Sequence, residues 1–385
     1  MVHSLVNIVV TRSALVHTPA MSSRRPLIAL AGAVALALLA PLQTQAAGSA
    51  YVALGDSFSA GTGTRAPTDG CYRSPYGYPA LIAEARALDL DYQACSGADT
   101  FDVLANQVGA LGEDTTYVTM TVGGNDVGFS PVVTECALPW WISDCYGAIG
   151  QSRSILTGAL PGRFDSVFSA VASKAPNAAV VVGGYPRLFN GQDCSWATFF
   201  SRREMRALNA ATDDLDALIQ QRSTANGLDY VDPRPAFDDH AVCDDEEWIN
   251  GFTFPVGESF HPNRAGHEAY ANVFWPGAGT TGLNRLEAQR GPHKAESGPL
   301  RTGSAAQAVL DMDLTSPSNL RQARAAGVST AQIRVAEREL RSADPTRQAR
   351  GLERLHRLDD SGPRGFGGSP RRPSTGPVRD AEPQR

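Results

Sequence analysis

Short apolar runs separated by amphipathic stretches set the pattern of this chain. Residues 51–54, 117–122 and 179–182 are apolar, β-branched-rich runs of the length expected of buried strands, and 90–94 and 228–231 are weaker versions of the same signal. Between them, 79–88, 163–174 and 200–221 read as helices; in the last, Met205, Leu208, Leu215 and Ile219 fall near one face. Strands alternating with helices predict an α/β fold with a parallel sheet covered on both sides. In such sheets ligands bind outside the carboxyl ends of the strands. The unusual residues stand where that rule places them. The 51–54 run leads into Gly55-Asp56-Ser57, the 90–94 run into Cys95-Ser96-Gly97, and the 117–122 run into Gly123-Gly124-Asn125-Asp126.

The pattern changes at both ends. Arg24 and Arg25 precede an apolar run over 27–40, Pro41 breaks it, and Gln45-Ala46-Ala47 offers small residues for cleavage. This order is that of an export signal over residues 1–47, with Met21 as an alternative start. At about 14 residues the run is short of the roughly 20 needed to span a bilayer, so no transmembrane segment is expected in the mature protein. After Pro276 the sequence holds no Trp, Tyr or Cys, and Phe366 is its one aromatic residue. Residues 281–385 therefore read as a low-complexity, disordered tail, with a single helix expected over 330–342. Residues 48–280 are left as the one folded domain.

Composition narrows the function. Of 385 residues, 42% are hydrophobic and 19% charged, and the net charge is −6. No polyanionic partner is indicated, which argues against nucleic-acid binding. The six cysteines, Cys71, Cys95, Cys136, Cys145, Cys194 and Cys243, form an even set in a chain carrying an export signal, which reads as disulfides. They contain no C-x₂-C pair and no neighbouring H-x₃₋₅-H, so neither a metal nor a cofactor is expected. Their spacing alone leaves the pairing open. The acids Asp238, Asp239, Asp244, Asp245, Glu246 and Glu247 lack the spacing of a calcium loop and read as a solvated loop.

A serine hydroxyl becomes a nucleophile only beside a base that takes its proton, with donors aimed at the oxyanion that forms. Ser57 follows an apolar strand and a glycine, where a tight turn exposes its hydroxyl. The segment Gly55-Asp56-Ser57-Phe58-Ser59-Ala60-Gly61 is not the G-x-S-x-G elbow of α/β-hydrolases. Asp56 adjoins the nucleophile and so serves the turn, bonding nearby backbone N–H groups. His261 precedes Pro262, which fits the first turn of a helix running through Glu268, Ala269, Tyr270 and Val273. His261 then sits at a loop end that can reach a strand-end serine. His267 is its competitor, and His240 reads as a surface residue.

Gly55-Asp56-Ser57, Ser96-Gly97, Gly123-Gly124-Asn125-Asp126 and Phe260-His261-Pro262-Asn263 stand in the order of the four blocks of the SGNH (GDSL-type) hydrolase family. Over roughly residues 50–275 the chain resembles that family, and most of all its secreted actinobacterial lipases and phospholipases. The resemblance implies a flavodoxin-like three-layer α/β/α sandwich with a central parallel sheet. It implies a secreted, extracellular, monomeric serine ester hydrolase that acts on ester or lipid substrates through an acyl-enzyme. Carried over by position, Ser57 is the nucleophile and His261 the general base. The oxyanion donors are the N–H groups of Ser57 and Gly97 and the side chain of Asn125. Sequential pairing, Cys71–Cys95, Cys136–Cys145 and Cys194–Cys243, is the simplest connectivity and fits the resemblance. The departure is Glu258, where the common pattern has Asp three residues before the histidine; either Glu258 or the Ser259 carbonyl is left to hold His261. Phe58, Phe129, Pro139, Trp140 and Trp141 line an acyl groove or belong to the core. The contrasting reading, an inactive surface glycan- or lipid-binding module on the same fold, would lack one of these groups, and none is missing.

Overall fold

The computed structural model describes residues 51–290 and 300–362. The expected export signal, with Met21, lies outside the described residues, as does the end of the chain after 362.

Five parallel strands form one sheet: β1 (Tyr51–Gly55), β2 (Leu90–Tyr92), β3 (Tyr117–Thr121), β4 (Ala179–Gly183) and β5 (Asp229–Val231), in the order β2-β1-β3-β4-β5. This is the doubly wound order of flavodoxin-like folds. The three strong apolar runs are the three central strands. All five residues of β1 are buried, whereas the edge strands β2 and β5 are short and partly exposed. That burial is why the central strands carry a continuous apolar signal and the edges do not.

The helices of the sandwich are α1 (Ser57–Ala60), α2 (Tyr78–Arg86), α3 (Thr100–Asp102), α4 (Phe129–Cys136), α5 (Cys145–Thr157), α6 (Leu160–Lys174), α7 (Arg202–Ala225), α8 (Arg264–Phe274) and α9 (Ala278–Arg290). α2, α8 and α9 pack together, and α5, α6 and α7 form a separate group. The long α7 opens on a capping box, in which Ser201 and Glu204 each bond the other's backbone N–H. It buries Met205, Leu208, Leu215 and Ile219, the predicted face.

The tail expectation is corrected by the structure. α9 packs against α2, and Gly282 lies so close to the Leu81 carbonyl that a Cβ there would stand 2.1 Å from it. Residues 300–362 form four further helices: α10 (Thr302–Asp311), α11 (Pro317–Ala325), α12 (Thr330–Leu340) and α13 (Pro345–Asp360). Of these only α12 was expected. Their apolar faces, including Val309, Leu320, Ile333, Ala336, Leu340, Leu352 and Leu355, bury together with Trp141, Ala197 and Phe199 of the preceding domain. The segment carries few large apolar residues because its core takes three from elsewhere and packs its own helices closely on alanine. No helix among the described residues is long and apolar enough to cross a membrane.

All six cysteines pair sequentially: Cys71–Cys95, Cys136–Cys145 and Cys194–Cys243. The first ties the loop after α1 to the Gly97 turn, and the second joins the end of α4 to the start of α5.

Candidate active site

Strand order reverses between β1 and β3, so a crevice opens at their carboxyl ends. β1 ends on Gly55 with φ 118°, and a Cβ there would lie 2.2 Å from the Thr121 carbonyl; no other residue makes this turn beside β3. Asp56 caps α1, accepting from Phe58 N–H at 3.0 Å, Thr121 Oγ1 at 2.7 Å and the Tyr185 hydroxyl. It orders the turn, as its position beside Ser57 implied. Burial raises the Asp56 carboxyl to about 6, against the pull of these donors. Ser57 is the first residue of α1, so its N–H has no intrahelical acceptor.

His261 is held from the opposite side. Phe260 adopts φ 58°, a left-handed conformation that costs a non-glycine residue on the order of 1–3 kcal/mol and persists only where the surroundings impose it. Here Phe260 N–H donates to Asn250 O and Asn250 N–H to His261 O, each at 2.9 Å, while the Phe260 ring packs on Phe189 and Phe200. Asn263 then caps α8 through Gly266 N–H. Pro262 thus lies just before the cap rather than in the first turn, because the asparagine supplies the capping oxygen.

The two residues meet: His261 Nε2 lies 2.8 Å from Ser57 Oγ. On the far side of the ring, His261 Nδ1 lies 2.8 Å from Ser259 O. A carbonyl only accepts, so Nδ1 carries the proton and Nε2 is left to accept from the serine hydroxyl. Glu258 is also buried, but it faces elsewhere: its carboxylate accepts from the backbone N–H of Gly63 and of Arg65 (3.3 Å). Between the two holders left open by the sequence, the ring bonds the carbonyl. Glu258 clamps the loop after α1, where Gly63 passes so close to Pro262 that a Cβ would stand 2.1 Å from its carbonyl oxygen. Glu258→Gln keeps an acceptor oxygen at this clamp, and less than about a tenfold loss of kcat is expected; a triad acid so replaced costs about 10⁴. Steady-state kinetics with a thermal melt as folding control decides between them.

Burial pushes the His261 imidazole down to about 4, with the Ser259 bond opposing. The ring is therefore neutral and able to accept a proton at neutral pH. The acid limb of kcat/KM is expected well below the ordinary imidazole value, between the Asp56 value of about 6 and the His261 value of about 4. Activity is retained above that window and lost as pH falls through it. A limb at or above 6.5 in a pH–rate profile would contradict this.

His267, the competing histidine, is fully buried behind the same loop, with Nε2 3.0 Å from Thr62 O. It is a packing residue. His240 stacks on Trp248 at 3.6 Å, with Nδ1 2.9 Å from Glu246 O. The acidic loop bonds its own backbone: Asp244 accepts from Ala241 N–H and Glu247 from Cys243 N–H.

Asn125 follows the β3 turn, and its side-chain amide donates to Ala98 O at 2.9 Å, which fastens it to the Gly97 turn. An amide has two N–H groups, so one remains for a substrate. Cys95 N–H donates to Gly55 O at 3.0 Å, setting the Gly97 turn beside the Ser57 turn. Gly97 has φ 88°. Sequence reasoning missed Tyr185. Its hydroxyl donates to Asp56 and accepts from Gly124 N–H at 3.1 Å, joining the Ser57 and Asn125 turns. Tyr185 follows Gly183-Gly184 at the end of β4; strand-end glycines, the signal used for the other three blocks, stand there too.

Ser57 and Asn125 open on a cleft of about 690 Å³, counting its solvent-open mouth. Its walls are apolar, with Phe129 and Val133 from α4 and Leu208 and Leu215 from α7 facing Phe58 and Leu188. Of the five residues assigned to a groove or to the core, Phe58 and Phe129 line the cleft. Pro139 is not among its lining residues, and Trp140 and Trp141 pack with α10–α13 instead.

Known proteins are similar to this chain in sequence and in fold. The chain is 38% identical over 245 residues to Lipase 1 of Streptomyces coelicolor, covering 62% of this chain and 90% of that relative. It is 40% identical over 261 residues to a lipase of Streptomyces rimosus, covering 66% and 92%. Among solved structures, the extracellular lipase of Streptomyces rimosus aligns with a TM-score of 0.56 and 38% identity, over 58% of this chain and 97% of that one. Phospholipase A1 of Streptomyces albidoflavus aligns with a TM-score of 0.56 and 39% identity, over 59% and 98%. The model of the GDSL-like Lipase/Acylhydrolase family matches residues 53–269, which runs from β1 through both sides of the serine–histidine contact into α8, and the chain belongs to this family of ester hydrolases.

Proposed function

We propose that this protein is an exported lipase that cleaves acyl esters by a Ser57–His261 dyad. The observation that carries the reading is the pair of bonds on one ring, Ser57 Oγ to His261 Nε2 and His261 Nδ1 to Ser259 O, each 2.8 Å, at an apolar cleft. In the first half-reaction His261 Nε2 takes the Ser57 proton as Oγ bonds to the ester carbonyl carbon. The resulting oxyanion is met by the N–H groups of Ser57 and Gly97 and by the Asn125 amide. The tetrahedral species collapses, the C–O bond to the alcohol breaks, and the alcohol leaves with the proton from His261. Water repeats the sequence on the acyl-enzyme, giving up its proton to His261 and releasing the carboxylic acid and Ser57. The Ser259 carbonyl fixes the tautomer and faces the imidazolium formed in each step.

Export is supported by the leader pattern and three disulfides, which persist in oxidising compartments. The apolar walls favour an acyl chain over a polar acid portion. A series of p-nitrophenyl esters from acetate to palmitate, with and without EDTA, tests the reading. Chelator-independent turnover with kcat/KM rising from acetate into medium chains is expected; the absence of turnover on every ester, or its loss with EDTA, would overturn it. A diacyl phospholipid in the same series separates lipase from phospholipase action.

A further inference from the structure

The family match ends at residue 269, so α10–α13 lie outside the shared part of the chain. Their contacts fall at two particular places. Asp359 Oδ1 accepts from Trp140 N–H at 2.7 Å. His356 stacks on Phe199 with ring centroids 4.5 Å apart, and its Nε2 donates to Trp196 O at 3.2 Å. Trp141, Ala197 and Phe199 are buried in the same core as Leu352 and Leu355 of α13. The two gripped segments are themselves joined, since Phe199 N–H donates to Ala137 O at 3.0 Å.

Each gripped segment runs directly into a cleft wall. Ala137 is the C-cap of α4, which carries Phe129, Val132 and Val133. Phe199 precedes Phe200 and Ser201, the cap of α7, which carries Leu208 and Leu215. The four helices thus hold the end of one wall helix and the beginning of the other. Close-packed interiors transmit displacement rather than absorb it, so the spacing of the walls follows the grip.

We propose that α10–α13 set the separation of α4 and α7 and with it the length of acyl chain the cleft accepts, His356 and Asp359 being the positioning residues. The proposal rests on the cleft's being the acyl site. A short acyl chain reacts close to Ser57 and touches little of either wall, whereas a long one lies along both. The helices therefore act on chain-length preference rather than on the chemical step.

The test is kcat/KM for p-nitrophenyl butyrate and p-nitrophenyl dodecanoate, measured on the full chain. In His356→Ala/Asp359→Ala the dodecanoate value is expected to fall about tenfold and the butyrate value by less than about twofold, since a small misplacement penalises only the chain that needs the walls. His356→Phe keeps the ring on Phe199 and is expected to hold the wild-type ratio. General destabilisation lowers both esters together, so an equal fall, or an unchanged ratio in the double variant, overturns the proposal. Should the double variant lose its cooperative melt, Asp359→Ala alone, which removes the bond to Trp140 N–H near the end of α13, is read the same way. Leu208→Trp, which fills the cleft, separates the two levels. A ratio unmoved by Leu208→Trp removes the acyl reading of the cleft and the proposal with it. A ratio that Leu208→Trp moves and His356→Ala/Asp359→Ala does not removes only the role of α10–α13.

Discussion

Ser57→Ala is expected to fold with an unchanged melting temperature and to lose about 10⁵–10⁶ of kcat, the scale seen when one member of a serine–histidine unit is removed. The hydroxyl sits against His261 Nε2 and forms none of the bonds that shape the turn; those belong to Asp56, through Phe58 N–H, Thr121 and Tyr185. Deleting it therefore removes the proposed nucleophile and leaves its support. The oxyanion donors remain, so a small residual rate over water is expected. Ester hydrolysis followed with purified variant, alongside a thermal melt, checks both halves. Turnover within tenfold of wild type would take Ser57 out of the reaction.

Asn125→Ala is expected to lower kcat by about 10²–10³ with little change in KM, the usual cost of one oxyanion donor. The effect lies in kcat because charge develops on the carbonyl oxygen only in the transition state. Asn125 also donates to Ala98 O, so alanine frees the Gly97 turn as well, which puts the loss toward the upper end of that range. Asn125→Asp is the companion variant: it keeps the shape but presents an acceptor to the oxyanion and is expected to be at least as slow. An effect confined to KM would make Asn125 a substrate-binding residue instead.

Much of this site was legible because its parts stand where strands end. Buried strands announce themselves by apolar runs, and the glycines that follow mark places where only a residue without Cβ fits; Gly55 beside Thr121 is one. Ser57 could be located in this way and His261 by its place just before the Pro262 helix start, whereas the roles of Gly97 and Asn125 came only through family resemblance. The holder of His261 could not. Glu258 and the Ser259 carbonyl are neighbours in sequence, and only the path of the loop turns the carboxylate to Gly63 and the carbonyl to the ring. Tyr185 escaped although Gly183-Gly184 mark its strand end, because its role is a hydrogen bond between two turns distant in sequence. The C-terminal helices escaped for a different reason. Their core is shared, so Trp141 and Phe199 lie far from them in sequence, and Ala305, Ala306, Ala323 and Ala336 supply buried surface that composition does not distinguish from a solvated tail.

The central claim is that Ser57 is the acylated nucleophile, activated by a histidine that a main-chain carbonyl orients. Labelling with an alkyl p-nitrophenyl phosphonate tests it most directly, because phosphonylation requires the same attack that acylation does and leaves a stable adduct. Intact-mass analysis is expected to show one adduct per chain, and peptide mapping to place it on Ser57. It is expected to form in Glu258→Gln at nearly the wild-type rate and to be absent in Ser57→Ala. An adduct on any other residue, or labelling that persists in Ser57→Ala, would contradict the account.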